Sequence, residues 1–256
     1  NWEETFYRFL ARNFGAKQNS TAFEALAKCL PLKILSKHKN NLFQLEALLL
    51  GQAGFLSESE LQKTSDLHCL NLQKEYLFLS KKYQLIALKA SSWQFGRMRP
   101  ANFPTIRLAQ FAVLIYQSTH LFSKILVEAD VNNLRNMFLI HLDAYWMNHY
   151  RLGEESPKRR KSLGGGTVDL ILINTIAPFL FIYGDYKGIE AYKERAVRLL
   201  QIIKPEQNSI IANWQNLGMA TNSAQDTQAL LQLKKKYCDP KRCLSCSIGH
   251  HILKMR

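Results

Sequence analysis

The amino-acid sequence predicts an all-α protein, a multi-helix single domain. Three observations carry that reading. Apolar residues recur along the chain at the i, i+3, i+4 spacing of one helix face, no stretch alternates strictly enough to be a strand, and no segment repeats, which sets aside a solenoid. Trp2, Phe6, Phe9 and Leu10 open the pattern, and Phe23, Leu26, Ala27 and Leu30 continue it behind a cap at Asn19 or Ser20. Leu42 to Phe55 (LFQLEALLLGQAGF) reads as a buried helix closed by Gly51 or Gly54. Leu67 to Leu88 follows in kind, with Leu70, Leu77, Phe78 and Leu85 on one side. Pro104 suits a first helical turn, where a missing N–H costs nothing, and the run from Ile106 to Ile115 is apolar nearly all round, as an interior helix must be. Patterns over Leu121 to Val127 and Val131 to Tyr150 come next, the second rich in aromatics. Arg151 to Gly166 (RLGEESPKRRKSLGGG) is a polar hinge that would separate subdomains 1–150 and 167–256. Helices over Thr167 to Tyr183, Lys187 to Ile203, Asn208 to Leu217 and Asn222 to Tyr237, and a last turn around Ile248 to Lys254, complete the chain.

A chain of 256 residues that is 47% hydrophobic and 21% charged can bury a real core and is not a disordered one. Its net charge of +14 and pI near 9.6 point to a polyanionic partner, nucleic acid ahead of an acidic surface. The sequence starts without Met in the middle of an aromatic amphipathic pattern and reads as a fragment of a longer protein. The most apolar run, Leu170 to Tyr183, is interrupted by Asn174, Thr175 and Pro178 and is shorter than the ~18 residues of a membrane span, so no membrane is expected. Five cysteines, an odd number with three near the C-terminus, argue against a disulfide framework and for a reducing compartment, the cytoplasm.

The segment WQFGRMRPANFPTIRLAQ, Trp93 to Gln110, concentrates positive charge beside a helix N-terminus, which is itself partly positive. From Tyr76 to Val127 there is no Asp or Glu, yet Lys81, Lys82, Lys89, Arg97, Arg99, Arg107 and Lys124 supply half of the net charge. An anion among Arg97, Arg99 and Arg107 relieves the repulsion, as would carboxylates from elsewhere in the fold. The expected anion site is therefore Arg97, Arg99, Arg107 and Asn102, with Trp93, Phe95 and Phe103 walling the cleft or stacking on bases.

The tail YCDPKRCLSCSIGHH places Cys238, Cys243 and Cys246 at C-x4-C-x2-C spacing. Thiolates so close in sequence can converge on one ion, with His250 or His251, Cys29 or Cys69 as a fourth ligand. Zinc and an iron–sulfur cluster are the two candidates, against three reduced cysteines lining a small core. His141 and His149 would share a helix face with Asp143 between them, although core or surface histidines are the commoner outcome. The layout of SLGGGTVDLILINT followed by the cysteines is similar to that of helix-hairpin-helix DNA glycosylases, but no lysine and aspartate pair stands at catalytic positions and Asp169 reads as a helix N-terminal charge. No nucleophile elbow, P-loop, dinucleotide fingerprint or paired-carboxylate motif occurs, so an enzyme confined to this stretch is disfavoured.

Five segments carry a family resemblance: EALLLGQAGFL (Glu46 to Leu56), W-x-F-x-RMRPANFPTIR (Trp93 to Arg107), YWMNHY (Tyr145 to Tyr150), LINTIAPFLFIYG (Leu172 to Gly184) and YCDPKRCLSCSIG (Tyr237 to Gly249). In these the chain resembles, from end to end, a family of bacterial proteins classed as a domain of unknown function. The resemblance implies an upstream segment similar to a restriction-endonuclease-like nuclease core. It would make this chain the helical part of a nuclease-associated protein, binding nucleic acid or scaffolding the attached half.

Overall fold

A computed structural model of the chain describes residues 1–62, 64–118 and 120–254 and is built almost wholly of helices, as the spacing predicts. Its contacts divide the chain into two compact units, Asn1–Thr175 and Ile176–Arg256.

In the first unit, α1 (Trp2–Phe14) is capped by Asn1, whose Oδ1 accepts from the Glu3 amide at 3.0 Å, and buries Phe6, Tyr7, Leu10 and Phe14. The chain turns at Gly15 straight into α2 (Ala16–Cys29). Only glycine serves there, because a Cβ would meet the Asn19 carbonyl oxygen at 2.4 Å and the Phe23 ring at 2.7 Å. After α3 (Leu32–Ser36) comes the central α4 (Leu42–Gln52), buried at every position from Leu45 to Gln52, then α5 (Glu58–Leu61) and α6 (Leu67–Tyr83). A Cβ on Gly51 would lie 2.0 Å from the Tyr76 ring, so α4 and α6 pack through a residue with no side chain. The α6 helix stops at Tyr83, not Leu88. Gln84 turns left-handed, and the Leu88 amide donates to the Gln52 carbonyl at 2.8 Å, a long-range pairing that overrides the local period.

Helix α7 (Pro104–Gln117) packs on α4 and buries every residue from Pro104 to Leu114. The shorter α8 (Leu121–Val127), α9 (Val131–Asn136) and α10 (Ala144–Met147) follow. The helix expected over Val131 to Tyr150 is therefore broken. Asp130 and Asp143 each cap a separate piece, and the chain continues as an antiparallel hairpin of β1 (His149–Arg151) and β2 (Glu154–Glu155), strands too short for alternation to register. The stretch expected to hinge is tied down. The Ser156 and Arg159 amides donate to the Asn148 and Met147 carbonyls, and the buried Lys161 extends its Nζ to the Trp146 and Met147 carbonyls at 2.6 and 2.8 Å, at the carbonyl end of α10. It lies inside the first unit, and the division between units falls after Thr175.

The helix that begins with α11 (Gly165–Ile171) passes through a π-helical turn at Leu172–Ile176. Pro178 cannot donate to the Asn174 carbonyl four residues back, and that carbonyl accepts from Asn13 Nδ2 at 3.2 Å instead. The apolar run is longer than its polar interruptions predict. Gly165–Lys187 is helical over 23 residues with an 18-residue window of mean hydropathy 1.7, long and apolar enough to cross a membrane by length and composition alone, and half of that window is buried within the protein.

In the second unit, α12 (Ala177–Lys187) ends at a left-handed Gly188 and α13 (Glu190–Ile202) packs back along it. Helix α14 (Ser209–Asn216) is capped by Asn208, and α15 (Ala224–Leu233) by a reciprocal Ser223–Asp226 box. A π turn at Lys234–Cys238, a 3-10 turn at Cys243–Ser245 and α16 (Ser247–Lys254) form the tail.

Candidate anion-binding cleft

Arg97, Arg99, Arg107 and Asn102 line one cleft of about 330 Å³ in the first unit. Gly15 and the start of α2 (Ala16, Gln18 and Asn19) also line it, together with the half-buried Met98 and the buried Phe14, Phe23 and Pro104. Among the described residues no Asp or Glu lines it. Helix α7 has no side-chain cap, so its N-terminus adds partial positive charge to three guanidinium groups, whereas that of α2 adjoins the carbonyl end of α1 at Gly15.

Two contacts build the site. Asn19, 3% exposed and inside α2 rather than at its cap, holds the preceding loop by both ends of its amide: Nδ2 donates to the Gln94 carbonyl at 2.9 Å and Oδ1 accepts from the Gln94 amide at 2.8 Å. The loop then carries Arg97 in the left-handed region, φ 58°, a conformation that costs a non-glycine residue roughly 1–2 kcal/mol. Arg107, 7% exposed, is the second contact. Its Nη1 donates to Gln110 Oε1 at 3.1 Å and its Nη2 to Asn102 Oδ1 at 2.7 Å and Thr167 Oγ1 at 3.3 Å. All three partners are neutral, and burial lowers the Arg107 pKa to about 10. Among the described residues Arg97, Arg99 and Arg107 have no carboxylate partner, and of these three Arg107 is the buried one. Nothing in the sequence signals the Asn19–Gln94 clamp, because its partners are 75 positions apart.

The aromatics of this segment do other work than expected. Trp93 is buried, donates from Nε1 to the Ala53 carbonyl at 2.8 Å and meets the Phe23 ring edge-on, so it belongs to the core and is not available to a base. Phe95 and Phe103 pack edge to face with each other, and the Arg151 guanidinium sits 4.5 Å and 5.3 Å from their ring centres. Their faces are taken by a cation from the hairpin.

Among the described residues no group of three or more His, Cys, Asp or Glu side chains is arranged to hold a metal ion. The convergence of Cys238, Cys243 and Cys246 with His250 or His251, expected from spacing, is thus not present, and Cys238 and Cys243 are exposed rather than in a small core. Cys238 closes a π turn, Cys243 opens a 3-10 turn, and Lys241 between them is left-handed. Cys29 and Cys69 are engaged within the first unit, Cys29 Sγ by Gln52 Nε2 at 3.2 Å and Cys69 Sγ by the Tyr145 hydroxyl at 3.2 Å. His149 does not share a helix face with His141. It stacks on Tyr145, whose other face carries His68 and whose hydroxyl donates to Asp66 Oδ2 at 2.9 Å. Asp169 is ion-paired with Arg135 at 2.7 Å, and the glycine run follows an extended segment, so no helix-hairpin-helix is formed there.

The chain is a helical domain with a cleft lined by three arginines and, among the described residues, no carboxylate. The chain belongs to the family described as protein of unknown function (DUF2851), whose family model matches residues 1–209. That span includes every residue of the cleft and ends before the tail cysteines, so the family match does not run the length of the chain. No curated protein and no solved structure matches it.

Proposed function

We propose that this domain binds nucleic acid through its phosphates, with Arg97, Arg99 and Arg107 as the contacts, and that it does so beside a nuclease-like segment of the same protein. The observation that carries the reading is Arg107: a guanidinium 7% exposed whose partners are all neutral, in a cleft with two further arginines and no carboxylate. Burial pushes its pKa down to about 10, so the charge is held at a cost of roughly 3 kcal/mol that a bound phosphate would offset. The net charge of +14 supplies the long-range attraction.

Fluorescence anisotropy with single- and double-stranded DNA at several salt concentrations tests it. Arg97→Glu with Arg99→Glu is expected to weaken binding by at least about tenfold and to lower the salt slope by ~2, whereas Lys235→Glu with Lys236→Glu changes affinity only a few-fold. Equal losses from the two pairs would reduce the effect to generic basicity. No binding even at low salt would favour a scaffolding domain whose arginines meet carboxylates of an attached segment. Circular dichroism of each variant separates lost binding from lost folding.

A further inference from the structure

We infer that the cleft recognises a strand end: it takes the terminal phosphate monoester of a single-stranded nucleic acid in preference to an internal phosphodiester. The inference rests on the phosphate-binding reading above and adds to it which phosphate is bound.

The first argument is the match of donors to acceptors. A guanidinium has five N–H donors, and Arg107 commits three of them to Gln110, Asn102 and Thr167. Asn102 uses its carbonyl oxygen to receive Arg107, which leaves its amide N–H groups for a ligand, and Arg97 and Arg99 have no carboxylate partner among the described residues. A phosphodiester offers one negative charge and two non-bridging oxygens to that array. A terminal monoester carries about −1.5 to −2 near neutral pH and presents three strong acceptor oxygens. The buried charge of Arg107 makes the difference larger, since a desolvated guanidinium gains more from a dianion than an exposed one does.

The second argument is size. At about 330 Å³ the cleft stands at the small end of the ~300–1,000 Å³ typical of ligand sites, which suits one phosphate and the sugar behind it. Of its apolar lining residues Phe14, Phe23 and Pro104 are buried, so the half-buried Met98 is the side chain that offers that sugar an apolar contact.

The test compares a ten-nucleotide single-stranded DNA carrying a 5′-phosphate, a 3′-phosphate or hydroxyls at both ends, with an RNA of the same sequence as a parallel arm, all by anisotropy against the 256-residue chain. A terminal phosphate is expected to tighten binding by roughly tenfold or more. Arg107→Gln should abolish that preference. Because removal of a buried arginine can disturb folding, Asn102→Asp serves as the second variant: Asn102 is exposed, and a carboxylate there, next to Nη2, neutralises Arg107 in place. It should erase the preference while the domain stays folded. Equal affinity for phosphorylated and hydroxyl ends, with binding still dependent on Arg97 and Arg99, overturns the inference and leaves phosphate binding standing. A preference that survives both variants overturns it too. A nucleoside 5′-monophosphate that competes as strongly per molecule as the phosphorylated strand removes the strand from the proposal. Absence of binding by any probe at low salt overturns the inference and the reading beneath it together.

Discussion

Glu46 makes the stability of the first unit depend on pH in a direction opposite to that of most carboxylates. It lies in α4 at 2% exposure, with Oε1 accepting from Trp146 Nε1 at 2.8 Å, and burial together with the nearby charge of Asp143 raises its pKa from 4.5 to about 8. Below about pH 4.5 the carboxyl is protonated in folded and unfolded chains alike and has no effect. Between about 4.5 and 8 the unfolded chain releases the proton while the folded one keeps it, so stability falls as pH rises; above about 8 the loss is complete. At pH 7, about 2.5 pH units above the ordinary carboxyl value, the loss amounts to roughly 3 kcal/mol, or about 6–12 °C in Tm for a chain of this size. Glu46→Gln keeps the shape and the acceptor for Trp146 but cannot ionise. We expect it to match the parent near pH 4.5, to exceed its Tm at pH 7 and to exceed it most at pH 9, with thermal unfolding followed by tryptophan fluorescence. Parallel pH profiles for parent and variant, or a variant less stable at pH 9, would refute a buried neutral carboxyl at this position.

Two further outcomes follow from the packing around the cleft. Asn19→Ala removes both hydrogen bonds to Gln94 and should destabilise the domain by about 1–3 kcal/mol in urea titrations. It should also weaken phosphate binding without changing the salt slope, because no charge is lost. Gly51→Ala sets a methyl group 2.0 Å from the Tyr76 ring and should cost about 1–3 kcal/mol through displacement of α6 from α4; a Tm equal to that of the parent would mean that the two helices separate freely.

Helical periodicity alone determined the fold class, and it did so because each long helix buries one face, as α1 does, or all of them, as α4 and α7 do; that demand is written in local spacing. The arginine cluster was legible for a similar reason. A segment with seven cations and no carboxylate must find a negative charge or solvent, and sequence neighbours cannot supply the former. Tertiary structure decided what those residues became. It sent Trp93 into the core against Phe23, covered Phe95 and Phe103 with Arg151, and buried Lys161 from a run that reads as a solvated hinge. It broke the Val131 to Tyr150 pattern, since Asp143 can cap a helix only where the fold lets one begin, and among the described residues it brought no three metal-ligating side chains together. The physical reason is common to all of these. Local spacing fixes which face of an element is apolar, but the partner of a polar or aromatic side chain lies 40 to 100 residues away in Trp93–Ala53, Asn19–Gln94 and Glu46–Trp146, and only the folded chain brings it within 3 Å.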